Sequence, residues 1–126
     1  MRVLLSIKPQ YANKIFEGSK WFEFRKAIHK DENVKTVVVY ATKPVGKVIG
    51  EFTVSDVHSD SPRRLWRRTK AGAGISESFF KEYFAGRDVG FAIEVSDARL
   101  YAEPMDLKHF VPSGCAPQSF MYLCAV

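Results

Sequence analysis

Lys20, Glu23 and Arg25 lie within six residues of each other, in the stretch Gly18-Ser19-Lys20-Trp21-Phe22-Glu23-Phe24-Arg25-Lys26. These three residue types can do chemistry on an anionic ligand. A partly desolvated lysine has a lowered pKa and serves as a base, a nucleophile or a phosphate ligand. A neighbouring glutamate can shuttle protons, and arginine reads phosphate and carbonyl oxygens through its planar fork. The stretch alternates with period two, which predicts a strand leaving a helix at Gly18. In a regular strand Lys20, Phe22, Phe24 and Lys26 share one face, and Trp21, Glu23 and Arg25 share the other. Glu23 and Arg25 then act together, while Lys20 and Glu23 point apart unless a bulge intervenes. The same pattern also suits an edge strand whose charges pair in water.

Other polar residues fall near predicted strand ends: Lys8, Lys26, Thr42, Gln118, Ser119 and Tyr122. No GxSxG elbow, phosphate loop, HExxH or zinc deaminase motif is present. His29, His58 and His109 stand apart, and Cys115 and Cys124 form no CxxC, so neither a metal nor another cofactor is expected.

The elements that must position these residues follow from pattern. Arg2 to Lys8 reads as a strand, and Pro9 opens a short helix that Gly18 stops. Ala27 to Lys35 is polar and loop-like. Val37 to Thr42 is β-branched without alternation, which predicts a strand buried on both faces. Lys47 to Val57 is a second long strand, with Gly50 at a bulge or close backbone approach, and the two form an antiparallel hairpin. Pro62 begins a helix rich in arginine, in which Leu65, Trp66 and Thr69 share one face and the arginines the other. Ala71 to Gly74 reads as a flexible break. Ser76 caps a helix whose Phe79, Phe80, Tyr83 and Phe84 form an apolar stripe suited to core packing. A strand from Val89 continues towards Tyr101, Glu103-Pro104 breaks the chain, Met105 to Phe110 forms a helical turn, and Ser119 to Leu123 closes as a strand. The pattern is α+β, mainly β: one domain over 1–126, with about six strands and short peripheral helices on a strongly bent sheet or barrel. Regular strand–helix alternation, the mark of a doubly wound fold, is missing.

The net charge is +5, with 19 Lys and Arg against 14 acids. Residues 1–47 carry ten of those cations against four acids, whereas residues 71–126 carry four against seven. The asymmetry favours an anionic partner at the N-terminal half. Arg64, Arg67 and Arg68 offer a further phosphate-contacting face, or a solvated helix side. No long apolar run opens the chain, so a cytoplasmic protein with reduced thiols, no signal peptide and no membrane span is expected.

Several blocks together resemble the ASCH domain family. They are Leu4-Leu5-Ser6-Ile7-Lys8-Pro9, Gly18-Ser19-Lys20 leading to Glu23-Phe24-Arg25, Tyr40-Ala41-Thr42-Lys43-Pro44, Gly50-Glu51-Phe52, the spacing of Gly74-Ile75-Ser76, Phe80 and Tyr83-Phe84, and Pro117-Gln118-Ser119-Phe120-Met121-Tyr122-Leu123. The resemblance implies a PUA-like β-barrel with a cleft for RNA or a nucleoside, lined by the Gly18–Arg25 block and the closing strand. It also implies a choice of roles: RNA binding, ribonuclease activity, or hydrolysis of acylated cytidine. The hydrolase type is similar to this chain at Lys20. It differs at Glu23, where that type carries a hydroxyl residue, and Glu77 is the candidate for its third group.

The first expected function is an RNA-binding module whose cleft holds single-stranded RNA or a nucleotide through Lys8, Lys20, Glu23, Arg25, Lys26, Thr42 and Gln118, with Arg64, Arg67 and Arg68 beside it. The second is a metal-independent ribonuclease or an amidohydrolase, using Lys20, Glu23, Ser119 and Tyr122. The third is a protein-interaction regulator whose contact surface is the arginine helix.

Overall fold

The structure, a computed structural model, describes residues 1–123; Cys124 lies outside them, and Cys115 is exposed. Six strands, β1 (Arg2–Ile7), β2 (Phe22–Arg25), β3 (Thr36–Ala41), β4 (Lys47–Asp60), β5 (Gly90–Met105) and β6 (Phe120–Leu123), form one sheet in the order β2-β5-β4-β3-β1-β6. β1 runs parallel to β3, and the other pairings are antiparallel. Helices α1 (Pro9–Glu17), α2 (Pro62–Thr69) and α3 (Glu77–Tyr83) sit in the connections. The fold is mixed α+β and mainly β. No helix among the described residues is long and apolar enough to cross a membrane.

β3 shows why its valine run does not alternate with polar residues. Val37 and Val39 pack with Val3, Leu5, Phe52 and Ile93 on one face, while Val38 and Tyr40 pack with Leu4, Val48 and Leu107 on the other. A strand covered on both sides needs no polar face. β3 and β4 form the expected hairpin, and their register slips where Gly50 lies. A Cβ at Gly50 would sit 2.4 Å from the Arg99 carbonyl oxygen. β4 and β5 slip register at three further places, and each slip adds local twist and bend.

Those bends curl the sheet. β2 is first in strand order and β1 is fifth, four spacings away, which would be roughly 19 Å on a flat sheet. Yet the Arg25 Nη2 group of β2 donates to the Ser6 carbonyl of β1 at 2.9 Å. The sheet therefore wraps until β2 faces β1 across a narrow seam. The barrel expected from the sequence is not closed among the described residues: β2 and β6 are the two ends of the sheet, and no ladder joins them there. β2 is four residues long, and side chains, not backbone pairs, fill the gap beside it.

A third core lies outside the curl. Phe24 and Ala92 of the sheet pack against Leu65, Ala73, Phe80 and Phe84, which fastens α2 and α3 over β2 and β5. β5 runs through Pro104 to Met105, where the sequence pattern predicted a break. β2 pairs with β5 only along Phe91 to Glu94, so the later part of β5 has an open edge, and an edge tolerates a residue without an N–H donor.

Phe52 is fully buried in the inner core. Phe52→Ala should lower the unfolding free energy by about 3–5 kcal/mol, read as an earlier urea midpoint at unchanged slope.

Candidate functional site

The seam between β1 and β2 opens into a cavity of about 220 Å³. Ser6, Ile7 and Lys8 come from the end of β1, Tyr11 from α1, and Lys20, Glu23, Phe24 and Arg25 from the β2 segment; Ile75, Phe79 and Tyr83 close it from α3 and the residues before it.

Lys20 reaches this cavity because it is not part of the strand. Gly18 ends α1 at φ +92°, and the amides of Gly18, Ser19 and Lys20 all turn back to the Lys14 carbonyl. Regular pairing begins only at Phe22. The alternation that put Lys20 and Glu23 on opposite faces therefore does not apply, and both line the same cavity. Within β2 alternation holds. Glu23 pairs with Ile93 on the inner face, while Phe24 pairs with Ala92 on the outer one.

Lys20 is 2% exposed. Its Nζ donates to the Ala73 carbonyl at 2.7 Å and stands 4.8 Å from the Phe24 ring centroid and 5.8 Å from that of Tyr11. Burial lowers its pKa to about 8, against the opposing pull of the Glu23 carboxylate. Residues 71–74 are not the loose break the composition predicted. Gly72 and Ala73 are buried, and the Trp21 amide donates to the Gly72 carbonyl at 2.7 Å. Gly74 has φ +69°, and a Cβ there would lie 2.5 Å from Lys20 Cγ, so this turn forms a fitted wall along the lysine stem.

Arg25 holds two partners, Glu23 at 3.2 Å and the Ser6 carbonyl, but its buried Nε has no acceptor among the described residues. Lys26 stands 4.7 Å from the Tyr83 ring centroid at the rim. Tyr83 donates a long hydrogen bond to the Phe24 carbonyl, and burial raises the pKa of its hydroxyl. The charges lining the cavity are three cations, Lys8, Lys20 and Arg25, against one acid, Glu23. Such a site attracts one anionic or oxygen-rich group.

Lys8, Lys20, Glu23 and Arg25 are thus brought together by the structure. Thr42, Gln118 and Ser119 do not line the cavity. Thr42 donates its amide to the Ile7 carbonyl, and Ser6 Oγ donates to the Pro117 carbonyl, so all three lie near the same end of β1. Tyr122 lies further along β6, opposite Val3, and its hydroxyl accepts the amides of Lys30 and Asp31 at 2.9 and 3.2 Å. Glu77 is on another side of α3, 3.5 Å from Lys81. Tyr11, Phe79 and Tyr83 were not among the expected site residues. For Phe79 and Tyr83 the signal was an aromatic stripe too wide for one core: Phe80 and Phe84 are buried, while Phe79 is 37% exposed and stacks along Tyr83; Tyr11, on α1, carried no such signal. No group of three or more His, Cys, Asp or Glu side chains able to hold a metal occurs among the described residues.

The lowered pKa of Lys20 links to stability with a definite sign. Between pH 8 and 10.5 the unfolded chain binds this proton and the folded chain does not, so stability rises with pH across that window. Below pH 8 the full burden, on the order of 3 kcal/mol, is present. Lys20→Met should therefore be more stable than the parent at pH 7, and the difference should shrink towards pH 10 in paired urea titrations. Gly74→Ala should cost about 1–3 kcal/mol and displace the lysine stem, visible as a lower thermal midpoint.

Residues 5–103 match the sequence profile described as the ASCH domain. A protein of Zymomonas mobilis called ASCH domain-containing ribonuclease is 31% identical over 94 residues, 75% of this chain and 64% of that protein. Two proteins of Ureaplasma parvum also match over 122 residues, 96% of this chain: ATP synthase subunit alpha at 31% identity and large ribosomal subunit protein uL22 at 30%. The chain spans 15% and 39% of their lengths. Crystal structures of ASCH from Zymomonas mobilis, as the parent and two point variants, superpose with a TM-score of 0.90 at 28% identity, covering 98% of this chain and 87–90% of theirs. The family match and the fold agree, and this chain belongs to the ASCH domain family.

Proposed function

We propose that the chain binds single-stranded RNA and takes one nucleotide into the seam between β1 and β2. One observation carries this reading: a buried excess of positive charge in a cavity with aromatic walls. Lys20 and Arg25 offer donors to a phosphate or base carbonyl, and the Arg25 Nε would gain the acceptor it lacks. Tyr11, Phe79 and Tyr83 offer ring faces to a splayed base. A cavity of about 220 Å³ suits a single nucleobase or nucleoside rather than a duplex. Gln118, Ser119 and Thr42, near the end of β1, would touch the flanking nucleotide. The curled sheet is then a PUA-like barrel left open where its ligand enters.

A second reading is turnover of the RNA, favoured by the amine of Lys20 titrating at about 8, close to working pH. Glu23 would take the ribose 2′-hydroxyl proton while the 2′ oxygen attacks phosphorus. The bond to the 5′ oxygen breaks as Lys20 returns a proton to it, leaving a cyclic phosphate and a 5′-hydroxyl. The similarity to a Zymomonas mobilis protein called a ribonuclease supports this alternative. Hydrolysis of an acylated cytidine in the same cavity would place Lys20 against the acyl group instead.

End-labelled single-stranded RNA, incubated with the protein or with Lys20→Ala in EDTA and run on native and denaturing gels, tests these readings. Binding predicts a retarded, intact strand and an affinity at least about tenfold weaker in the variant, the scale of one charged hydrogen bond. Shortened product from the parent alone would establish cleavage. Equal retardation by both proteins would sink the seam as the binding site. Affinity should also fall as pH rises through about 8, because Lys20 then loses its charge.

A further inference from the structure

A second and larger recess, about 790 Å³, lies between α2 and α3. Arg63, Trp66, Arg67 and Lys70 line it at i, i+3, i+4 and i+7 along α2 and the turn that follows, so they form one helical face. Lys81 and Glu77 face them from α3, giving four cations against one acid. This divides the arginines differently from the sequence pattern. Trp66 does both: it borders the cations and packs, partly buried, against the core that holds Leu65, with the Phe80 ring at a centroid distance of 5.0 Å, while Leu65 and Thr69 are fully buried. Arg68 points elsewhere, to His58 Nδ1 at 2.8 Å and to Asp60. Arg64 lines neither cavity.

We infer that this groove is a second nucleotide subsite, which holds the phosphodiester backbone and a stacked base of the same RNA strand whose neighbouring nucleotide occupies the seam. The inference rests on the RNA-binding reading of the seam. Its geometric ground is α3, the wall that the two recesses share: Phe79 and Tyr83 face the seam, and Glu77, Phe80 and Lys81 face the groove. A helix is about 10 Å across, so a strand leaving the seam reaches the groove within a few nucleotides. The groove's chemistry favours a nucleic acid over an acidic peptide. An indole flanked by two guanidinium groups offers a stacking platform beside phosphate donors, whereas a row of carboxylates would use only the charges.

The test compares a labelled dinucleotide, which fills the seam alone, with a labelled oligouridylate long enough to cross α3, by fluorescence anisotropy over a salt series. The proteins are the parent, Arg63→Ala/Arg67→Ala, Arg64→Ala as a surface control, and Lys20→Ala. The double variant should bind the long strand about tenfold more weakly, and its log–log salt slope should drop by about 0.7 for each phosphate that the protein no longer neutralises. Dinucleotide binding should be unchanged in it, and Arg64→Ala should match the parent on both ligands. A double variant that holds the long strand like the parent overturns the groove while leaving the seam intact. Loss in the double variant without loss in Lys20→Ala keeps the groove and overturns the seam. An equal loss in Arg64→Ala reduces the effect to general charge and overturns the subsite. Poly-glutamate bound at least as tightly as the oligonucleotide overturns it in favour of an acidic protein partner.

Discussion

One hydrogen bond marks the constraint on which the rest depends. Arg25 of the first strand in the sheet reaches the Ser6 carbonyl of the fifth, so the sheet must curl through four strand spacings to bring them together. The slips along β4 and β5 make the curl, and the inner core of Val3, Leu5, Val37, Val39, Phe52 and Ile93 fills it. Short of full closure, the sheet leaves a seam. Side chains occupy it where a closed barrel would place backbone pairs, and Lys20, Glu23 and Arg25 gather there.

The seam carries a cost in stability. Burying an ammonium group costs free energy unless its hydrogens find acceptors. Lys20 has one carbonyl, two ring faces and a carboxylate in the same cavity, and its pKa still falls to about 8. The buried Nε of Arg25 without an acceptor is a second such burden. Two of the three cores reach the seam, through Ile7 and through Phe24, and burial in all three offsets these terms. Structural ion pairs usually satisfy themselves; here the Arg25 Nε donor remains without an acceptor among the described residues.

α3 is the element on which both recesses turn. Seven residues carry aromatics on more than one side: Phe80 turns into the core, and Phe79 and Tyr83 turn to the seam. The turn before it supplies the Ala73 carbonyl and the glycine that presses on Lys20. A single short segment thus orients the lysine, walls the seam and forms one bank of the cationic groove.

Much of this was legible in the chain itself. The strand order along the sequence, the helix stop at Gly18, the doubly covered valine strand and the slip at Gly50 all follow from local backbone preference and periodicity, which act over a few residues. The grouping of Glu23 with Arg25 is also a local fact of strand alternation. What only the tertiary structure decided are the placements that depend on neighbours distant in sequence. Lys20 joins Glu23 because a turn replaces the strand at that point and because residues 73 and 74, more than fifty positions away, hold its stem and its amine. The sheet curls without closing because that depends on bends accumulated over β4 and β5. Trp66 borders the arginines as well as the core that holds Leu65, because Phe80 of another helix takes one of its faces. Periodicity assigns a residue to a face of its own element; which neighbour that face meets is set by packing, and no single stretch of sequence contains it.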